Sequence, residues 1–224
     1  MRGRSQNLLP DIDERAGGGL RPALFLDRDG VINHDDGYVY QPSSFRFIDG
    51  IFELGRRAQE LSYELIVVTN QSGIGRGKIS LPQFIEVQEK IMNDLAVSGC
   101  FVNAVFACPH HEAAKPPFNK KNHHWRKPNP GMLLSAAEML PIDLSSSWII
   151  GDKITDLLAG KNAGLNGGML GKIITFCGTF VFFSMISMSL TQSDPTNSQI
   201  YLYTCYHAGI IGGAMYQMNR FTSN

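Results

Sequence analysis

Cysteine is scarce in this chain: four residues in 224, Cys100, Cys108, Cys177 and Cys205, standing far apart. Residues 1–21 lack the apolar core of a secretory signal, so reduced thiols in a cytoplasmic protein are the expectation. An excess of charge is lacking too, since 20 Lys plus Arg balance 20 Asp plus Glu. No global field would draw in nucleic acid or an anionic membrane, so any anion site has to be local. Charged groups also nearly vanish after Lys172, where only Asp194 and Arg220 remain.

These absences divide the chain. Residues 1–21 are polar and carry Gly17, Gly18 and Gly19, which predicts a disordered extension. Residues 22–172 form the expected domain, and 173–224 an atypical apolar C-terminal segment. Within that segment, Ile173 to Leu190 is an uncharged run of 18 residues, at the short limit for crossing a bilayer. Thr175, Thr179, Ser184, Ser187 and Ser189 dilute it, and a buried strand followed by a packed segment accounts for it equally well.

Between the two ends, short apolar runs alternate with stretches of helical period. Strands are expected at 23–26, 65–68, 101–107 and 148–150, and helices at about 50–62, 81–98, 130–140 and 155–163. In the helix 81–98, Phe84, Ile85, Gln88, Ile91, Met92 and Leu95 mark the packing face. The alternation predicts an α/β fold, a doubly wound, Rossmann-like three-layer sandwich with a mainly parallel sheet.

In such a sheet, ligands bind where strands end, and each apolar run here ends in polar residues. "ALFL" ends in Asp27-Arg28-Asp29-Gly30, "LIVV" in Thr69-Asn70-Gln71-Ser72, and "WII" in Gly151-Asp152-Lys153, with Asp156 further on. Asp27, Asp29 and Asp152 are hard oxygen ligands suited to Mg²⁺, which would relieve their mutual repulsion. Any one of them alone could equally cap a helix or fill a turn. Asp27 and Asp29, two apart in an extended segment, point to the same side, so one could attack while the other handles protons. Thr69, the amides of loop 70–77 and Lys127 are candidate donors to transferred phosphoryl oxygens.

The segments "DRDGVIN", "VVTNQSGIGRG", "RKPNPGM" and "IIGDKITDLLAGKNAG" together resemble the phosphatases of the haloacid dehalogenase (HAD) superfamily. More narrowly, they are similar to the family of heptose bisphosphate and histidinol phosphate phosphatases, over about residues 22–168. The resemblance implies a HAD-like fold, Asp27 as nucleophile and Asp29 as general acid and base. It also implies Thr69 and Lys127 on the phosphoryl group, and Mg²⁺ held by Asp27, Asp152 and the backbone carbonyl of Asp29. Asp35, Asp36, Gly37 and Tyr38 match a substrate-contacting loop that would otherwise be a plain turn. Asn70, Gln71 and Ser72 would face it, Arg126 would help to recognise substrate, and Lys153 would contact phosphate or pair with Asp156.

In that family a loop before the Arg-Lys pair often holds zinc through Cys-x-His and Cys-x-Cys. Here Cys108 and His110 fill the first pair, whereas the second falls on His123 and Trp125. Tryptophan offers no lone pair, so the fourth ligand is absent unless His111 or His124 swings in. Zinc at Cys108, His110 and His123 is thus in doubt, and Trp125 would order the loop by packing. After Gly168 the family supplies one more strand, which Lys172–Phe176 could form.

The expected activity is Mg²⁺-dependent hydrolysis of a phosphorylated sugar, the 7-phosphate of a heptose 1,7-bisphosphate, by a monomer with no nucleic-acid partner. "RKPNPGM" favours it over histidinol phosphate. A polynucleotide 3′-phosphatase shares the "TNQSGIGRGK" loop, but the chain lacks the basic stripe such an enzyme needs. A non-catalytic or membrane-tethered protein is the reading from another class.

Overall fold

The computed structural model describes residues 19–35, 37 and 41–170, together with the backbone of 201–203 and 216–220. The expected extension therefore lies outside the described residues over 1–18, and so does the whole apolar run 173–190.

Five strands run parallel: β1 (Arg21–Leu26), β2 (Glu64–Asn70), β3 (Val102–Cys108), β4 (Ile142–Gly151) and β5 (Gly167–Leu170). Among the described residues the sheet order is β3-β2-β1-β4-β5-β7-β6. The last two, β6 (Tyr201–Tyr203) and β7 (Tyr216–Arg220), are antiparallel additions beyond β5. The doubly wound expectation is met, with helices on both faces. β1 begins at Arg21 rather than Ala23, because Arg21 already donates its backbone N–H to Pro141 O at 2.8 Å.

Side-chain alternation along each strand explains the layering. Leu24 and Leu26 of β1 and Leu65 and Val67 of β2 face α1 (Ile51–Glu60) and α3 (Leu81–Val97), joined by Leu54, Ile91 and Leu95. Their neighbours Ala23, Phe25, Ile66 and Val68 face the opposite way, toward Met132, Leu133 and Leu157 of α4 (Gly131–Met139) and α5 (Ile154–Ala163). A strand buried on both faces must be apolar throughout, which is why these strands read as unbroken hydrophobic runs.

α3 starts where sequence signals say it should. Ser80 caps it, its Oγ accepting from Gln83 N at 3.3 Å while Gln83 Oε1 accepts from Ser80 N at 2.9 Å. Its buried face differs slightly from expectation, since Val87 is fully buried and Ile85 is 44% exposed. The stripe runs through Phe84, Val87, Gln88, Ile91 and Leu95, rotated away from Ile85.

The last parallel strand is a correction. Gly167–Leu170 forms it, ahead of Lys172–Phe176, which lies outside the described residues. Two glycines disguise the segment as a loop, but Gly168 is needed there. A Cβ would sit 2.6 Å from Leu157 Cδ2 and 2.8 Å from Ile149 Cγ2, so only glycine lets α5 lie this close to the strand.

Among the described residues no helix is long and apolar enough to cross a membrane.

Candidate active site

Because β2, β1 and β4 are adjacent and parallel, their carboxyl ends open side by side. Asp27 follows β1 directly, its N–H donating to Ile150 O at 2.9 Å, and Asp152 follows β4. Gly30 turns the chain back at φ +87°, and a Cβ there would overlap the Asp152 carboxylate. A Cβ on Gly151 would likewise overlap Asp156. The two glycines thus let backbone approach carboxylates closely, in a cradle that other residues would fill.

Three carboxylates meet in this cradle. Asp27, Asp152 and Asp156 each offer an oxygen, all within 4.8 Å of one another. Sequence reasoning chose Asp27 and Asp152 but left Asp156 as a partner for Lys153. The structure buries Asp156 completely and puts its Oδ1 2.5 Å from Lys127 Nζ. A signal for it was present: an acid in the first turn of a helix that follows a strand-end Gly-Asp. Its Oδ2 accepts the Lys153 N–H at 3.0 Å, which fixes α5 to the site. The Lys153 side chain goes elsewhere, with Nζ 3.4 Å from Asp35 Oδ2 and 3.6 Å from Asp152 Oδ1.

Lys127 is the balancing cation. Its Nζ lies 3.0 Å from Asp27 Oδ1 and donates to Val68 O at 2.8 Å, in a side chain almost wholly buried. Burial alone would pull its ammonium down, but Asp27 and Asp156 more than offset that and hold it above its ordinary value. Asp27 shifts the other way. Burial pushes its carboxyl up to about 7, opposed by the Lys127 charge and reinforced by those of Asp156 and Asp29. One buried ammonium cannot neutralise three carboxylates, and the buried Asp152 Oδ1 has no hydrogen-bond partner, only the Lys153 ammonium at 3.6 Å. Excess negative charge and an oxygen without a hydrogen bond are what a divalent cation bound by oxygen would relieve, so the residues suit Mg²⁺.

Asp29 belongs to a second cluster. Its Oδ1 accepts from Arg28 Nε at 3.0 Å, Arg28 Nη2 at 2.9 Å and Asn33 Nδ2 at 3.0 Å. Its Oδ2 accepts from Arg28 Nη2 at 3.0 Å and Gln71 Nε2 at 2.7 Å. Arg28 is 1% exposed, with its guanidinium 5.5 Å from the Phe84 ring centroid. The question of how two carboxylates coexist at one strand end has two answers: the Lys127 ammonium beside Asp27 and the Arg28 fork around Asp29.

Thr69 is buried at the end of β2, its Oγ1 accepting from Gln71 Nε2 at 2.9 Å. Asn70 and Gln71, expected to face substrate, are turned inward. The Asn70 amide exchanges two 3.1 Å hydrogen bonds with the Lys127 backbone, and Gln71 is 5% exposed. Ser72 opens the short helix α2 (Ser72–Gly75) and is half-buried. Arg126 donates from Nη1 to His110 O at 3.0 Å. Of the expected substrate loop, Asp35 and Gly37 are exposed, while Asp36 and Tyr38 lie outside the described residues.

The zinc expectation fails on geometry. His110 and His123 stack face to face, with centroids 3.5 Å apart and planes 10° apart. Imidazole lone pairs lie in the ring plane, so parallel stacked rings cannot both aim at one ion. His123 Nδ1 already accepts from Trp125 N at 3.2 Å, so that nitrogen is spent within the loop. Among the described residues, the group able to hold a metal is the aspartate one. The loop is instead held by packing and backbone bonds. Trp125 meets Phe106 edge to face at 5.9 Å, Lys115 N donates to Gly75 O at 2.9 Å, and Gly131 N donates to His124 O at 2.9 Å.

Comparison with known proteins agrees with this arrangement. The HAD-hydrolase-like family profile matches residues 124–170. The D-glycero-alpha-D-manno-heptose-1,7-bisphosphate 7-phosphatase of Burkholderia mallei is 46% identical over 148 residues, spanning 66% of this chain and 78% of that protein. The corresponding beta-anomer enzyme of Vibrio cholerae serotype O1 is 44% identical over 158 residues, 69% of this chain and 85% of that one. A D,D-heptose 1,7-bisphosphate phosphatase from B. bronchiseptica, solved with magnesium and phosphate, aligns with TM-score 0.57 and 32% identity over 64% of this chain and 77% of its own. The chain belongs to the haloacid dehalogenase-like phosphatases, in the group that contains the heptose-bisphosphate 7-phosphatases.

Proposed function

We propose that this phosphatase removes the 7-phosphate of D-glycero-D-manno-heptose 1,7-bisphosphate in the cytoplasm, with Asp27 as nucleophile and Asp29 as acid and base. The observation that supports it most is the convergence of Asp27, Asp152 and Asp156 within 4.8 Å of one another, with the Lys127 ammonium against Asp27 and Asp156. Asp27, Asp152 and the Asp29 carbonyl, with Asp156 beside them, would hold Mg²⁺, which when bound screens the carboxylates from the approaching phosphate dianion.

An Asp27 oxygen attacks phosphorus while the bond from phosphorus to the sugar oxygen breaks, and Asp29 gives its proton to that leaving oxygen. Asp29 then takes a proton from water as the water oxygen attacks phosphorus. The bond to Asp27 breaks, inorganic phosphate leaves, and both aspartates return to their starting states. Thr69 Oγ1 and Lys127 Nζ donate to the phosphoryl oxygens, and Lys127 takes up charge as it builds in transit. Arg126, Lys153 and Asp35 would contact the sugar.

Relatives carry both alpha and beta anomers in their names, so the assay needs both. Purified protein with Mg²⁺ should release one phosphate from a heptose 1,7-bisphosphate, stop on adding EDTA, and yield a phosphorylated Asp27 by mass spectrometry under turnover. Faster turnover of histidinol phosphate would reassign the substrate. Activity surviving in Asp27→Asn would overturn the mechanism.

A further inference from the structure

We propose that Gln71 is a positioning residue whose amide holds the acid and the phosphoryl-binding hydroxyl in register. Nε2 has two donors' worth of hydrogen, and both are spent: one on Asp29 Oδ2 at 2.7 Å, the other on Thr69 Oγ1 at 2.9 Å. This single nitrogen therefore ties the turn after β1 to the end of β2. Its own backbone is fixed from a third strand, since Gln71 N donates to Cys108 O at 2.8 Å. With 5% exposure the side chain has little access to a sugar. Arg28 and Asn33 hold Asp29 Oδ1, and Gln71 shares Oδ2 with Arg28 Nη2, so the Gln71 amide is the donor that links this carboxylate to Thr69.

The consequence concerns which bond is hard to break. A sugar alkoxide leaves only when protonated, so its turnover depends on where Asp29 stands. The phenolate of 4-nitrophenyl phosphate leaves unaided and does not need the acid. Removing the Gln71 donor should therefore penalise the alkyl phosphate selectively. Displacement of a reacting group by about 1 Å can cost roughly 10²-fold in rate.

This inference rests on the acid role proposed for Asp29, and the experiment separates the two. Gln71→Met, Gln71→Glu and Asp29→Asn are each assayed on heptose bisphosphate and on 4-nitrophenyl phosphate, with circular dichroism to confirm folding. For Gln71→Met, kcat on the sugar phosphate should drop by about 10²-fold. Its KM should stay within a few-fold, and the single-turnover burst of 4-nitrophenolate, the step that needs no acid, should fall far less than the release of the sugar. The later attack of water uses Asp29 as base for either substrate and is not the readout. Gln71→Glu, which places an acceptor against Asp29 at unchanged size, should show the same selectivity and serves if the Met variant fails to fold. Equal losses on both substrates would mean a merely structural role, and a raised KM with unchanged kcat would mean direct sugar contact. Either result overturns the assignment. Asp29→Asn is the control: if its single-turnover release of sugar and of 4-nitrophenolate fall equally, the acid role itself falls, whatever Gln71 does.

Discussion

At the ends of β1 and β4, Asp27, Asp152 and Asp156 are driven into one volume against electrostatic cost. In the loop 108–127, Cys108, His110, His123 and His124 sit near one another and yet share no focus; two of the imidazoles lie flat on each other. Both regions hold metal-binding residue types, and the difference lies in what aims them. Asp27 and Asp152 directly follow adjacent parallel strands and Asp156 opens the helix after β4, so the strand ladder and the helix start aim all three, with Gly30 and Gly151 admitting the side chains. The loop has no such lattice, so its rings settle by stacking, and Trp125 occupies a place where a thiolate would be needed. Composition alone therefore overstates a metal site; convergence imposed by the backbone decides.

The comparison breaks most sharply at Asp27. Asp27→Asn should abolish phosphate release, yet with divalent ions chelated it should raise stability. Burial pushes the wild-type carboxyl up to about 7 in the fold from its ordinary 3.8, so the native state binds the proton more tightly. Stability of the wild type then falls as pH rises from about 4 to about 7, and Asn, which does not titrate, escapes that loss. Thermal melts of both proteins across this range should diverge with increasing pH. If they run parallel, the nucleophile's burial carries no energetic penalty and the cluster is looser than described.

Lys127→Met probes the same cluster from its cation. Removing the ammonium leaves Asp27 and Asp156 buried and uncompensated, which should cost about 3–5 kcal/mol of stability, read by urea unfolding. Added Mg²⁺ should recover part of that loss, because it offers the same carboxylates another partner. No recovery would argue that the three oxygens do not share an ion.

Legibility in the sequence follows the same division. The strands and main helices were visible because burial on both faces writes long apolar runs, and Asp27, Thr69 and Asp152 were visible because they end those runs. Gly167–Leu170 was not, since its glycines answer to a helix packed above it, a tertiary demand with no local signature. In sequence Asp156 is only a possible partner for Lys153, three residues before it. Only the fold shows it facing Lys127, which is 29 positions earlier in the chain. The family resemblance sets Asn70 and Gln71 opposite the substrate loop, whereas here their side chains pair with the Lys127 backbone and with Asp29.

Smaller effects should come from the loop. Trp125 is half-buried against Phe106, so Trp125→Ala should cost roughly 1–2 kcal/mol, below the range for a fully buried aromatic. With Mg²⁺ kept saturating, a zinc-selective chelator should leave the melting temperature unchanged, as followed by Trp fluorescence. About one zinc per purified chain would instead restore the ligand set that the stacked rings exclude.

The smallest effect is expected at His123. Burial, and then the neighbouring His110 and His124, hold its imidazole below the ordinary 6.5. A neutral ring is thus favoured in the fold, and its contribution is full above about pH 6.5 and is lost as pH falls below that. His123→Phe keeps a flat partner for His110 but cannot take a proton. Its melting temperature should differ little from wild type at pH 8 and fall less steeply between pH 6.5 and 5. A metal-ligating His123 would behave in the opposite way, with the larger loss at pH 8, where the ion is bound, so the sign of this small difference separates stacking from coordination.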